Sequence, residues 1–421
     1  MAITTKYRII RDDFSLDENN IFRSIAELEP VSVANSIHIT WNKAKNFSVF
    51  DDLGNKWIDL TSGIFVANAG HSNPFIKQAI KDQLDSDLLF AYNYPTSIKL
   101  AFLKKLLALS PKYFEKVALL NSGSEAVDVA YKLMRLYGKK NKKKYIVTFR
   151  GSYHGRGLSN DMISGREYKA CWSGISDPSI FFINFPYNSG TPFKYYDLPP
   201  LDEIAGFFLE TFQGWGAWFY PQKFINDLCS FAKEVGALVC FDEMQSGFFR
   251  LGPIYGYMTY GENIKPDIIC LGKGISSSLP LSAVLSTREI MDLDVKADLH
   301  GTQSANALCV AAGLANIEFL SDIKQIKKRE KTSKLFVEKM NEIKRLPLVK
   351  AVNVRGLIAG IIFKNTELAT NIVKRCIQNG VLPVCTNRES IKIAPPLTIT
   401  ENAIEEAISV LKSCIKKEVK C

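Results

Sequence analysis

Phe241-Asp242-Glu243-Met244-Gln245-Ser246-Gly247 and Cys270-Leu271-Gly272-Lys273-Gly274-Ile275-Ser276 are the two stretches whose reading decides the fold of this chain. Each opens as an apolar strand and stops on polar residues. Residues 237–241 (Ala-Leu-Val-Cys-Phe) and 268–271 are unbroken apolar runs of strand length, the pattern of strands buried on both faces of a parallel sheet. In such sheets ligands bind beyond the carboxyl ends of the strands. An acid leaving one strand and a lysine following another, both flanked by glycine or serine, suit a cofactor that needs a charged partner at one end and an amine at the other.

Pyridoxal phosphate fits that description. It acts as an electron sink, most strongly when a buried carboxylate keeps its ring nitrogen protonated, and Asp242 is the candidate carboxylate. Its aldehyde is held by a lysine amine as a Schiff base, and desolvation or a nearby cation makes such an amine the better nucleophile. Lys273 is the candidate, and once released it can carry a proton as general base and then acid. Either motif alone is also what a turn-capping aspartate and a solvated surface lysine look like.

A third segment shifts the balance. Residues 116–120 (Lys-Val-Ala-Leu-Leu) read as a strand, followed by Asn121-Ser122-Gly123-Ser124-Glu125 and a helical pattern with Ala126, Val129, Ala130, Leu133, Met134 and Tyr137 on one face. Ser122 and Glu125 have capping-box spacing, so the helix is predicted to start here. The amides of Gly123 and Ser124 then point out of a helix N-terminus, an anion site suited to a phosphate. The strand at 145–149 is followed by Arg150-Gly151-Ser152-Tyr153-His154-Gly155-Arg156-Gly157, a tight loop whose aromatic and cationic members suit ring stacking and carboxylate binding.

In this order the pieces resemble the class III aminotransferases, the ornithine, acetylornithine and 4-aminobutyrate group of fold type I pyridoxal phosphate enzymes. The resemblance runs from Asp51-Asp52-Leu53-Gly54 and Gly70-His71-Ser72-Asn73-Pro74 to Ile393-Ala394-Pro395-Pro396-Leu397. It implies that Gly123 and Ser124 hold the phosphate and that Tyr153 stacks on the ring. It further implies that Asp242 pairs with the pyridine nitrogen, Gln245 reaches the ring hydroxyl, and Lys273 carries the cofactor. Thr302, in His300-Gly301-Thr302-Gln303, matches the threonine that completes the partner subunit's phosphate cup, which implies a homodimer. Arg156 is nominated for a substrate carboxylate, and Glu210 resembles an acid that lies near the cofactor.

The chain also departs from that pattern. Relatives read Glu-Pro-x-Gln-Gly-Glu where this chain reads Glu210-Thr211-Phe212-Gln213-Gly214-Trp215, and Ile-Arg where it reads Ile391-Lys392. The acid and arginine that pair in ornithine-type members are both gone. Lysine is a point charge and not a bidentate fork, so donor handling is expected to differ. A contact between Trp215 and Lys392, worth about 0.5–2 kcal/mol, is the expected substitute, and both residues are assigned to the substrate side. Tyr92 and Tyr94 sit where the family builds pocket walls, which implies a substrate-side role for Tyr92, although aromatic clusters are also ordinary core.

Composition is consistent with this. A chain of 421 residues that is 47% hydrophobic can bury a large core over two domains. Alternating strand and helix patterns from about 117 to 284 predict an α/β domain with a mainly parallel sheet. A helix over 326–343, strands over 349–363 broken by Gly356 and Gly360, and a helix over 401–416 predict a smaller α+β domain. The expected divisions are 1–60 joining the small domain, 61–305 as the large cofactor-binding domain, and 306–421 as the small domain. Nine scattered cysteines without a Cys-x-x-Cys pair argue against a disulfide framework or zinc site and fit a reducing cytoplasm. The net charge of +10 is spread out. Its densest run, Lys139-Lys140-Asn141-Lys142-Lys143-Lys144, reads as a solvated helix end, so neither nucleic acid nor membrane is an expected partner.

These readings converge on an aminotransferase that moves an amino group from a small-molecule donor, glutamate or another amino acid, to an oxo acceptor in two half-reactions through Lys273. An isomerase on the same fold (an aminomutase or amino acid epimerase) and a non-catalytic pyridoxal phosphate binder are the alternatives.

Overall fold

The computed structural model describes residues 2–16, 20–34, 39–165, 171–187, 193 and 196–419. The chain forms two compact units. The larger comprises residues 74–214 and 218–321, and the other comprises 1–73, 215–217 and 322–421.

The larger unit is built on a seven-stranded sheet: β1 Lys116–Leu120, β2 Tyr145–Phe149, β3 Ile180–Ile183, β4 Ile204–Glu210, β5 Leu238–Asp242, β6 Ile268–Leu271 and β7 Ser282–Ser286. Their spatial order is β1-β7-β6-β5-β4-β2-β3. All neighbours are parallel except β7, which runs antiparallel to both β6 and β1. Every residue of β4, β5, β6 and β7 is buried, which is why those stretches read as continuous apolar runs. Helix α1, Gly123–Lys140, packs Ala126, Val129, Ala130, Leu133 and Met134 into the core beside the sheet. Helix α2, Gln222–Val235, ends on Gly236 in the left-handed conformation and returns the chain into β5. Asp242 pairs with Glu210 on one side and Cys270 on the other, so the carboxyl ends of β4, β5 and β6 lie level. Lys273 follows in the next turn.

At the end of α1, Lys143 is more than a solvated cation. Its amine donates to the carbonyls of Asp202 at 2.9 Å and Val235 at 2.8 Å, closing the α1–β2 turn onto its neighbours.

In the other unit the N-terminal strands Ile3–Thr4, Ile9–Ile10, Lys43–Lys45, Ser48–Phe50 and Lys56–Asp59 share a sheet with Val381–Leu382. A second, antiparallel sheet orders Ala351–Arg355, Ile358–Ile362, Ser390–Ile393 and Val384–Arg388. Helices Ile323–Ile343, Thr366–Gln378 and Glu401–Glu418 complete the unit. The expectation that Gly360 breaks a strand is corrected: it lies inside Ile358–Ile362, paired with Asn353 and Lys392. A Cβ there would stand 2.0 Å from the Gly216 carbonyl oxygen, so the glycine admits the 215–217 segment. The turn is made by Gly356 alone, at φ +59°.

Ser62, Gly63, Ile64 and Phe65 all have positive φ, a full left-handed turn. Each non-glycine residue so placed costs roughly 1–2 kcal/mol. The Asp59 carboxylate holds the turn by accepting from the Thr61 amide and hydroxyl at 2.7 Å each, and the Ser62 hydroxyl donates to the Ala394 carbonyl at 2.6 Å.

Candidate active site

A cavity of about 230 Å³ opens at the carboxyl ends of β4, β5 and β6, and Gly123, Ser124, Tyr153, Asp242, Gln245 and Lys273 all line it. Long-range folding thus brings together residues from four separate stretches of sequence.

At one end stands the N-terminus of α1. The Ser122 hydroxyl accepts from the Glu125 amide at 3.2 Å, and the Glu125 carboxylate accepts from the amides of Asn121 and Ser122 at 2.8 Å each. Among the described residues the amides of Gly123 and Ser124 are left to a ligand, as the first turn of a helix requires. The Ser124 hydroxyl oxygen accepts the Arg156 amide at 3.0 Å, tying the loop after β2 to this cup while its own proton remains to be donated.

At the other end is Asp242, only 4% exposed. Its Oδ1 accepts the Met244 amide at 3.0 Å and its Oδ2 lies 2.9 Å from His154 Nδ1. Beside a carboxylate, Nδ1 carries the proton and donates. His154 is buried, its ring edge-on to Phe208 at 4.8 Å, and its Nε2 has no partner among the described residues. His154 carries no role in the motif spacing. Its only local signal was its place beside Tyr153.

Lys273 has φ +44°, a conformation rare for a lysine, and follows the extended Gly272. Burial lowers its pKa below the ordinary lysine value, opposed by the charges of Asp242 and Glu210. A desolvated ammonium loses its proton more readily, which is the condition for nucleophilic attack on an aldehyde. Glu243, next to Asp242, has a different job. Its buried carboxylate accepts from the hydroxyls of Thr211 and Ser246 and the amides of Gly256 and Tyr257, so it holds the turn.

This set matches pyridoxal phosphate in its chemistry: orphan amides at a helix N-terminus for the phosphate, a buried carboxylate for the ring nitrogen, and a desolvated amine for the aldehyde.

The remaining sequence candidates lie elsewhere. Arg156 is exposed, with only its backbone amide tied to the cup. Tyr92 is 45% exposed and meets His300 edge-on at 6.2 Å, and Thr302 is exposed. None of the three lines the cavity. In the other unit Arg388 lies over the Trp215 ring, 3.9 Å from its centroid, and Lys392, 8% exposed, sits 4.5 Å from the Phe65 centroid. Each of the two residues thus takes part in a cation and ring pair, Trp215 with Arg388 and Lys392 with Phe65. The Ser390 hydroxyl fixes the Trp215 carbonyl at 2.6 Å.

A family model described as Aminotransferase class-III matches residues 31–415. An acetylornithine aminotransferase of Clostridium acetobutylicum is 28% identical over 90% of this chain and 97% of its own length. An ornithine aminotransferase of Brevibacillus brevis is 30% identical over 90% and 93%. Among solved structures, the ornithine aminotransferase of Toxoplasma gondii, described with pyridoxal phosphate at its active site, has a TM-score of 0.85 at 22% identity, covering 97% of this chain and 98% of that one.

Proposed function

This chain belongs to the class-III aminotransferases, pyridoxal phosphate enzymes that transfer amino groups, and from that premise we propose how its own residues divide the work. The observation that carries the proposal is the convergence of Lys273, Asp242 and the free amides of α1 on one cavity.

When bound, the cofactor supplies the electron sink. The amides of Gly123 and Ser124, with the dipole of α1 behind them, bind its phosphate. Asp242, oriented by His154 and the Met244 amide, would accept a hydrogen bond from the ring nitrogen and so keep it protonated. Tyr153 supplies a ring face and Gln245 an amide toward the ring hydroxyl. Lys273 Nζ would hold the cofactor's aldehyde carbon and, once freed by a donor amine, would carry the proton from the substrate carbon to that cofactor carbon. A second substrate reverses the sequence.

The substrate side is assigned to Arg156, Tyr92, Trp215 and Lys392, with an amino acid as donor and an oxo acid as acceptor. Lys392 in place of a guanidinium supports weaker, less directional grip on a carboxylate. Thr302 is assigned to the phosphate site of a second copy in a homodimer. Its exposure away from its own chain's cavity supports this, as do the exposed Leu89, Phe90 and Tyr94. A reducing cytoplasm is the proposed location, supported by the free thiols of the described cysteines.

The test is the absorption spectrum of the cofactor-loaded protein as single amino donors are added without an acceptor. Conversion of the bound cofactor to its amine form by one donor, with release of that donor's oxo acid, is expected. A spectrum unchanged by a broad panel of amino acids, ω-amino acids and diamines would contradict the transfer reaction.

A further inference from the structure

We propose that Glu210 is a positioning residue that sets the orientation of Gln245 and the backbone of Tyr153 toward the cofactor. The proposal rests on the preceding reading only for the identity of the ligand. Glu210 ends β4 level with Asp242 and is 4% exposed. Its Oε2 accepts the Tyr153 amide at 3.1 Å, and its Oε1 accepts the Gly214 amide at 3.1 Å and Gln245 Nε2 at 3.2 Å. Three donors from three separate turns, those after β2, β4 and β5, therefore meet on one carboxylate.

Bonds from N–H groups to a buried anion are stronger than neutral ones and hold their donors more firmly. Gly214 allows the arrangement, since a Cβ there would stand 2.0 Å from Gln245 Nε2. Flipping the Gln245 amide would set its carbonyl oxygen against the carboxylate, so the group that Gln245 turns to the cavity is fixed by Glu210. The same carboxylate pins the amide of Tyr153, and with it the origin of the side chain that lines the cavity. Its negative charge also favours the ammonium form of Lys273, opposing burial. Glu210 thus acts on three cofactor-facing residues while its own oxygens are engaged with protein donors.

The experiment is a double-mutant cycle on the full-length protein with Glu210→Gln, Gln245→Ala and both together. It reads the dissociation constant for pyridoxal phosphate by equilibrium dialysis, the absorption maximum of the bound cofactor, and the melting temperature of the cofactor-free protein. A residue acting through Gln245 predicts about tenfold weaker binding and a shifted absorption maximum for each single variant, with the double variant no weaker than the worse single by more than about twofold. Glu210→Asp, which keeps the charge but shortens the reach, is expected to behave like Glu210→Gln. Additive losses, or a Glu210→Gln variant with the affinity and spectrum of the unmodified protein, would overturn the proposal. Should Glu210→Gln not fold, Gly214→Ala displaces the same amide. The same spectral shift is expected from it, and an unshifted spectrum overturns the proposal. Failure of the unmodified protein to bind pyridoxal phosphate at all is a separate result that counts against the cofactor reading itself.

Discussion

His154 illustrates how much of this site depends on a single side chain. Its Nδ1 donates to Asp242 Oδ2 and both side chains are buried, so truncation leaves a buried carboxylate oxygen without that partner. His154→Ala is expected to lower kcat by about 10–100-fold with a smaller change in substrate KM, since orienting partners of a reacting group typically carry that much. Steady-state kinetics of the loaded enzyme check it, and an unchanged kcat would contradict the role. A second residue-scale prediction concerns Asp267, away from the cavity. Burial raises its pKa to about 6, against which the amide of Val239 donates at 2.8 Å. Between about pH 4 and 6 the native chain keeps a proton that the unfolded chain has released, so stability falls as pH rises through that window and stays lower above it. Asp267→Asn, which keeps the acceptor and removes the charge, is expected to stabilise the protein by about 1–2 kcal/mol at pH 7.5 and by almost nothing at pH 4. Denaturant melts at the two pH values read the difference directly.

Among the elements, the strand Ile358–Ile362 and the segment 215–217 are matched to each other. Asn353 Nδ2 donates to the Gly216 carbonyl at 2.9 Å, and Gly360 leaves room for that carbonyl. Gly360→Ala forces a methyl into a 2.0 Å gap, so a loss of about 2–3 kcal/mol is expected from overpacking, measurable by thermal or urea melts. The elements also show what a sequence discloses. Strands β1, β2 and β6 and the start of α1 were readable to the residue because their signals are local: unbroken apolar runs, and a capping box whose two partners are three residues apart. Gly360 was misread because a glycine in a strand looks like an interruption, and its reason, Gly216, lies far away in sequence. The left-handed turn at 62–65 has only one glycine to announce it and is imposed by tertiary hydrogen bonds from Asp59 and to Ala394. The helix Ile323–Ile343 begins before its apolar periodicity does, because Asp322 caps it by accepting from Lys324 and Gln325.

At the scale of the whole molecule, the cavity residues were legible from motif spacing, whereas their supports were not. Asp242 and His154 are 88 residues apart, and Trp215 meets Arg388 only because the chain returns through the second antiparallel sheet. Such pairings carry no local signature, so spacing alone does not disclose Arg388 as a partner of Trp215. The proposed homodimer belongs to this scale. Sedimentation of the cofactor-loaded protein is expected to give twice the 47.2 kDa chain mass, and Thr302→Ala to weaken cofactor binding several-fold while leaving that mass unchanged. A monomer that binds cofactor as tightly as the assembled protein would contradict the shared site. The claim on which the rest depends is that Lys273 is the residue joined to the cofactor. Borohydride reduction of the loaded protein followed by peptide mass spectrometry tests it most directly. The account predicts a single reduced pyridoxyl adduct on the peptide containing Lys273, absent from Lys273→Ala, and an adduct on any other lysine, or none, would contradict it.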